Sequence, residues 1–237
     1  MKELLWDALL DAFQLEDRSL PKTIFRLVKE PGTAIREVIH GQRRSLYPPF
    51  KFLVLAGAII IVCSLRYHFF SSEYTHDKSG SANVFQYLGI PERYRAFFEN
   101  FFAFAEDNAT ILNIAAIPVF ALFSWWWLSR SAYNFAENLV LNTFITAQQL
   151  VFLVLLIPFY EFFPENKSLS ISIYITGIAV YNIWVYVQFF GRSPVVVLRS
   201  AAAVLAGYVC QFPFNFLIFY LYEHFIKGFF MWTPQGN

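Results

Sequence analysis

The chain has 237 residues, of which 57% are hydrophobic, 20% aromatic and only 15% charged. That balance excludes an ordinary water-soluble domain and fits one helical membrane unit. The net charge of +1 gives no reason to expect a nucleic-acid partner.

Residues 1–48 read as amphipathic helices on the cytoplasmic side. Leu4, Leu5, Ala8, Leu9, Ala12 and Phe13 share one helical face, with Lys2, Glu3, Asp7, Asp11 and Gln14 elsewhere. This first helix is acidic, so it suits a protein surface better than anionic lipid. Ser19 then offers an N-cap, and Pro21 falls in the first turn of a second, basic helix. Leu20, Ile24, Leu27 and Val28 form its apolar face. Pro31-Gly32 breaks it. Ile35, Val38 and Ile39 make a third short face, ended by Gly41. These helices are expected to lie on the membrane and steer the chain into its first span, with a discrete binding domain as the alternative.

The tract from Arg36 to Lys51 is locally the most distinctive. Arg36, Arg43, Arg44 and Lys51 are candidate contacts for anionic lipid headgroups, each worth about 1 kcal/mol near such a surface. The same residues also serve as a topology signal before a span. Phe52–Leu65 is uncharged between Lys51 and Arg66. Fourteen residues fall short of the roughly 20 a span needs, but flanking basic side chains can snorkel, so the span is expected over about 49–70. This apolar run begins 50 residues in, and no small-residue cleavage site follows it, so it does not read as a cleaved signal peptide.

A loop over 71–107 follows. Ser71–Ala82 is polar, and Pro91-Glu92 opens a helix bearing Phe97, Phe98, Phe101, Phe102 and Phe104. With Arg93, Arg95, Glu99 and Glu106 interleaved, that helix is expected to lie in the interface, its aromatics at the headgroup boundary. Four stretches then run without a charge for 22 to 24 residues: Asn108–Ser129, Asn138–Tyr160, Ser168–Gly191 and Ser200–Tyr222. Only helices and closed barrels cross a bilayer, and these unbroken runs lack barrel alternation. The expected architecture is an all-α integral membrane bundle of five spans over residues 49–237.

Polar residues inside the spans are where an activity would show. Asn138, Asn142, Thr146 and Gln149 lie at i, i+4, i+8 and i+11, on one face of the third span, with Glu137 just before them. Asn113, Asn182, Gln188, Gln211 and Asn215 are placed in other spans. Interhelical hydrogen bonding is the leading reading of the stripe and a solute path the alternative. The deep runs hold no ionisable group, which argues against an ion-coupled pump. Pro118, Pro158 and Pro213 each interrupt a span. Ala203-x-x-x-Gly207 permits close helix approach.

With the N-terminus inside, twelve Lys and Arg fall on the cytoplasmic side and five on the other. The positive-inside rule therefore predicts a cytoplasmic N-terminus and an outer C-terminus.

Pro31-Gly32, then Ile35 through Arg44, then Tyr47-Pro48-Pro49-Phe50-Lys51, resembles the pattern of an uncharacterised family of bacterial membrane proteins: Pro-Gly, a short helix, Gly-x-Arg, then an aromatic and Pro-Phe before the first span. Ile117 to Leu122 and Tyr133 to Val140 look like its later landmarks. The resemblance implies a bacterial cytoplasmic (inner) membrane location. Many relatives carry a zinc-ribbon Cys-x-x-Cys before this region. This chain has only Cys63 and Cys210, both within predicted spans, so no zinc site carries over. The resemblance implies no established activity.

Enzyme signatures are thin. His40, His68, His76 and His224 have no paired spacing, and Glu223-His224 reads as an interfacial pair. No phosphate loop, nucleophile elbow or metal cluster is visible, and no cofactor is expected. The expected function is a non-enzymatic membrane scaffold or accessory subunit contacting lipids and other membrane proteins. A transporter or lipid-translocating protein is the alternative, and an intramembrane enzyme the third reading.

Overall fold

The computed structural model describes residues 20–42, 46–67, 91–128, 132–162 and 167–227, and every regular element among them is helical. In chain order these are α1 (Leu20–Lys29), α2 (Pro31–Ile39), α3 (Pro49–Tyr67), α4 (Glu92–Asp107), α5 (Ala109–Ala115), α6 (Ile117–Leu128), α7 (Phe135–Phe162), α8 (Lys167–Phe190) and α9 (Pro194–Leu221), which ends in a π-helical turn, Tyr222–Lys227. The expected helix over residues 1–19 lies outside the described residues, as do Arg43 and Arg44 and the loop start Ser71–Ala82.

Among the described residues, four segments are long and apolar enough to cross a membrane: Ala109–Leu128, Phe135–Ile157, Ser172–Phe190 and Pro194–His224. Helix α3 has 19 residues. At 1.5 Å per residue it spans about 28 Å, just under the roughly 30 Å hydrocarbon core.

Helix α7 is the axis of the bundle. Of its apolar stretch 61% is buried, against 22–28% for the other three spans, and α3, α6 and α8 all pack on it. Leu141, Phe144, Ile145, Ala147 and Leu150 supply its part of the core. Helix α9 packs on α6 and α8. Outward faces stay apolar: Val54, Leu155, Leu198 and Leu205 are each two-thirds or more exposed. So much exposed aliphatic surface around the bundle matches lipid as the solvent.

Local chemistry sets the helix limits. Pro31 occupies the first position of α2, where its missing N–H costs nothing. Gly41 ends α2 at φ +98°, a left-handed conformation that glycine adopts freely. Gly191, at φ +122°, turns the chain from α8 to α9. Ser193 caps α9, accepting the Val196 N–H at 3.2 Å, and Pro194 follows at its first position. That cap starts α9 six residues before the uncharged run.

Two expectations need correcting. Only Pro118 coincides with a break: the chain turns at Ala116, between α5 and α6. Pro158 and Pro213 lie inside continuous helices, as membrane-spanning helices tolerate. The α4 phenylalanines are not simply membrane-lying. Phe97, Phe101 and Phe104 pack against Phe212, Phe216, Phe219 and Tyr222 of α9 and its end, with ring centroids 4.9–5.6 Å apart. Phe101 is buried, whereas Phe102 faces outward. Phe97, Phe101 and Phe104 therefore meet aromatic partners within the protein.

Candidate functional site

The polar stripe of α7 begins with its own cap. Asn134 precedes the helix, and its Oδ1 accepts the Glu137 N–H at 2.9 Å while Glu137 Oε2 accepts the Asn134 N–H at 2.8 Å. This reciprocal pair is a capping box. It explains why α7 starts three residues before the uncharged run. Glu137, placed beside the stripe by its sequence position, has this structural role.

One turn further, the stripe enters the core. Asn138 and Asn142 are buried. Ser124 of α6 donates to Asn138 Oδ1 at 3.0 Å and accepts from Asn142 Nδ2 at 3.1 Å. The hydroxyl of Tyr186 on α8 donates to Asn142 Oδ1 at 2.6 Å. Asn142 Nδ2 also donates to the Asn138 carbonyl at 2.8 Å. These four side chains tie α6, α7 and α8 together at one level.

A second tie lies deeper. Gln149 Nε2 donates to Asn182 Oδ1 at 2.6 Å, and Asn182 Nδ2 reaches the Tyr208 hydroxyl of α9 at 3.4 Å. Tyr174 donates to the Gln149 carbonyl at 3.2 Å. Thr146 is half-buried on the same face. The periodic pattern therefore located the amides of α7 but not their partners Ser124, Tyr186 and Tyr208. A serine before three tryptophans, and tyrosines among many aromatics, give no periodic signal.

Gln148, absent from the stripe, is fully buried, and neither of its polar atoms meets a partner in the protein. Its neighbour Gln149 is engaged through Nε2. The two glutamines point to different sides of α7, one residue and about 100° apart.

The second candidate region is the entry to the bundle. Helices α1 and α2 form a hairpin held by Arg26, which reaches Glu37 at 2.9 Å and Glu30 at 3.5 Å. The hairpin docks on the C-terminal half of α8, from Tyr181 to its last turn. The Gly32 N–H donates to Gln188 Oε1 at 3.2 Å. Any side chain at Gly32 would overlap Gln188 and the backbone of Phe189. Arg36 Nη2 donates to the Gln188 carbonyl, one of the last carbonyls that α8 cannot satisfy internally. Tyr181 donates to the Leu27 carbonyl at 3.0 Å, and Thr23 Oγ1 accepts the Tyr47 N–H at 2.9 Å.

Arg36, one of four residues expected at lipid headgroups, therefore has a partner inside the protein. Lys51 is exposed at the start of α3. Arg43 and Arg44 lie outside the described residues. A cavity of about 630 Å³ opens beside this entry, walled by Val38, Ile39, Tyr47, Pro49, Glu137 and Val140 among others.

The remaining polar residues are spread out. Gln211 of α9 donates to Asn113 of α5 at 3.0 Å. Ala203 is buried, and a side chain at Gly207 would overlap the Phe120 ring of α6, so the Ala-x-x-x-Gly spacing does serve close packing. His224 stacks on Tyr220 at 4.4 Å between centroids. Among the described residues no three His, Cys, Asp or Glu converge on a metal position. The chemistry on display is neutral hydrogen bonding between helices.

The family described as Protein of unknown function (DUF3667) matches residues 17–61. That stretch takes in α1, α2, the entry segment and the first 13 residues of α3. No curated protein and no solved structure matches the chain.

Proposed function

We propose that this is a non-enzymatic membrane scaffold or accessory subunit that contacts lipids and partner proteins, placed in a bacterial cytoplasmic membrane with its N-terminus in the cytoplasm. One observation carries the reading. The stripe amides of the central helix are engaged with side chains of neighbouring helices: Asn138 and Asn142 with Ser124 and Tyr186, Gln149 with Asn182. A solute path along the polar face of α7, the transporter reading, would need those groups open to water, whereas Asn138 and Asn142 are 0% and 2% exposed. Such a network fixes helix positions, which suits a rigid platform.

The test has two arms. Purified protein in liposomes should pass no small-solute or lipid tracer above the protein-free rate. Purification from native membranes should bring down lipids together with at least one membrane protein in fixed ratio. Tracer flux abolished by Asn142→Leu in a protein that still folds would replace the scaffold with a transporter.

A further inference from the structure

The docked hairpin turns one face of α1 away from the bundle. Leu20, Thr23 and Leu27 of α1 are buried against the bundle. The opposite side divides along its length. Helical spacing sets Pro21, Phe25 and Val28 on one edge and Lys22, Arg26 and Lys29 on the other. Phe25 is 66% exposed and Val28 44%, and both lysines are exposed. Arg26 is turned toward Glu30 and Glu37, the only acids of residues 20–40. Four basic residues against two acids leave that segment at +2.

An apolar edge beside a basic edge is how a helix rests in a bilayer interface, with rings and methyls in the acyl boundary and ammonium groups at the phosphates. The position of α1 agrees. Thr23 holds the N–H of Tyr47, two residues before α3 begins, and Phe50 and Lys51 at the start of α3 are themselves exposed. The outer face of α1 thus sits at the level where the chain enters the membrane.

We infer that the outward face of α1, formed by Lys22, Phe25, Val28 and Lys29, is a docking surface for anionic phospholipid in the bilayer that holds the bundle. This deepens the scaffold reading by naming the lipid class one surface meets, and its test does not depend on tracer flux. Charge selects the lipid: the lysines favour phosphate surfaces with net negative charge, and Phe25 fixes the depth. The contact lies within the stretch matched by the family of unknown function.

The full chain, carrying Phe25→Cys labelled with an environment-sensitive fluorophore, is placed in phosphatidylcholine bilayers with and without phosphatidylglycerol. Val28→Cys serves as a second labelling site should the first variant fold poorly. With phosphatidylglycerol the label should enter the interface, shown by quenching from lipids carrying a nitroxide near the headgroup. Each of Lys22→Gln and Lys29→Gln should lower the ratio of inserted to exposed label about fivefold at low salt, with less effect at high salt. A label that stays in water in both bilayers overturns the proposal and leaves the face to a soluble partner. So does insertion of equal extent with and without phosphatidylglycerol that ignores both lysine changes, because the contact would then be apolar alone.

Discussion

Two amides on the same helix should respond in opposite ways to the loss of their polar atoms. Asn142 accepts from Tyr186 at 2.6 Å and donates to Ser124 at 3.1 Å, so Asn142→Leu removes two bonds between helices and leaves the buried Tyr186 hydroxyl with Ser124 alone. Interhelical bonds of this kind average about 0.6 kcal/mol and reach about 1.7. The variant should therefore lose about 1 to 3 kcal/mol. Gln148 has no protein partner to lose, so Gln148→Met, close in volume, should be neutral or stabilising by about 1 kcal/mol. Leu155→Ala, on the exposed side of α7, calibrates the baseline. Leu141 cannot serve for that purpose, since it is completely buried. Reversible unfolding in mixed micelles measures all three. A double-mutant cycle with Tyr186→Phe isolates the bond, and the coupling should be about 0.6 kcal/mol or more. Additive effects of Asn142→Leu and Tyr186→Phe would refute the bond. A loss on Gln148→Met as large as that on Asn142→Leu would refute the distinction between engaged and orphaned amides.

Gly32→Ala should release the hairpin from α8, because the new methyl meets backbone that cannot yield; limited proteolysis of the first 40 residues should quicken several-fold while the spans stay protected. Gly207→Leu should separate α6 from α9 at a cost of about 1–3 kcal/mol in a melting experiment, whereas Gly57→Ala, whose added carbon would rest 3.5 Å from Ile114, should be tolerated. Single cysteines at Ser79 and Gln235 should label from outside intact spheroplasts, and one at Ser19 only after permeabilisation; protection of Gln235 would mean that the number of crossings is off by one.

Much of the bundle was legible because the bilayer imposes length. Uncharged runs marked α6 to α9, and spacing at i, i+4, i+8 and i+11 marked the inner face of α7. What stayed hidden depends on groups distant in the chain. Arg36 carries the same sequence signature whether it meets a phosphate or a carbonyl in the last turn of α8, 152 residues away. Gly32 looked like a helix breaker, yet its lack of a side chain is what lets α2 touch Gln188. The five phenylalanines of α4 showed an amphipathic face without saying what covers it; α9 covers Phe97, Phe101 and Phe104 and leaves Phe102 exposed. The starts of α7 and α9 were misplaced by three and six residues, because hydropathy ignores the capping by Asn134 and Ser193.

The hairpin that docks on α8 also sets an order of events. Its contacts join residues separated by 156, 152 and 154 positions. At translation speeds of 5–20 residues per second, α1 and α2 leave the ribosome roughly 10 to 30 s before their seat exists. During that interval Leu27, Ala34 and Ile35, fully buried in the finished protein, have no bundle to cover them. These early helices thus find their place only after α8 has been made. Once Gly32 and Arg36 engage the end of α8, the hairpin closes the assembly as a latch. A nascent chain stopped before α8 should leave that latch open to protease, and one stopped after α9 should not.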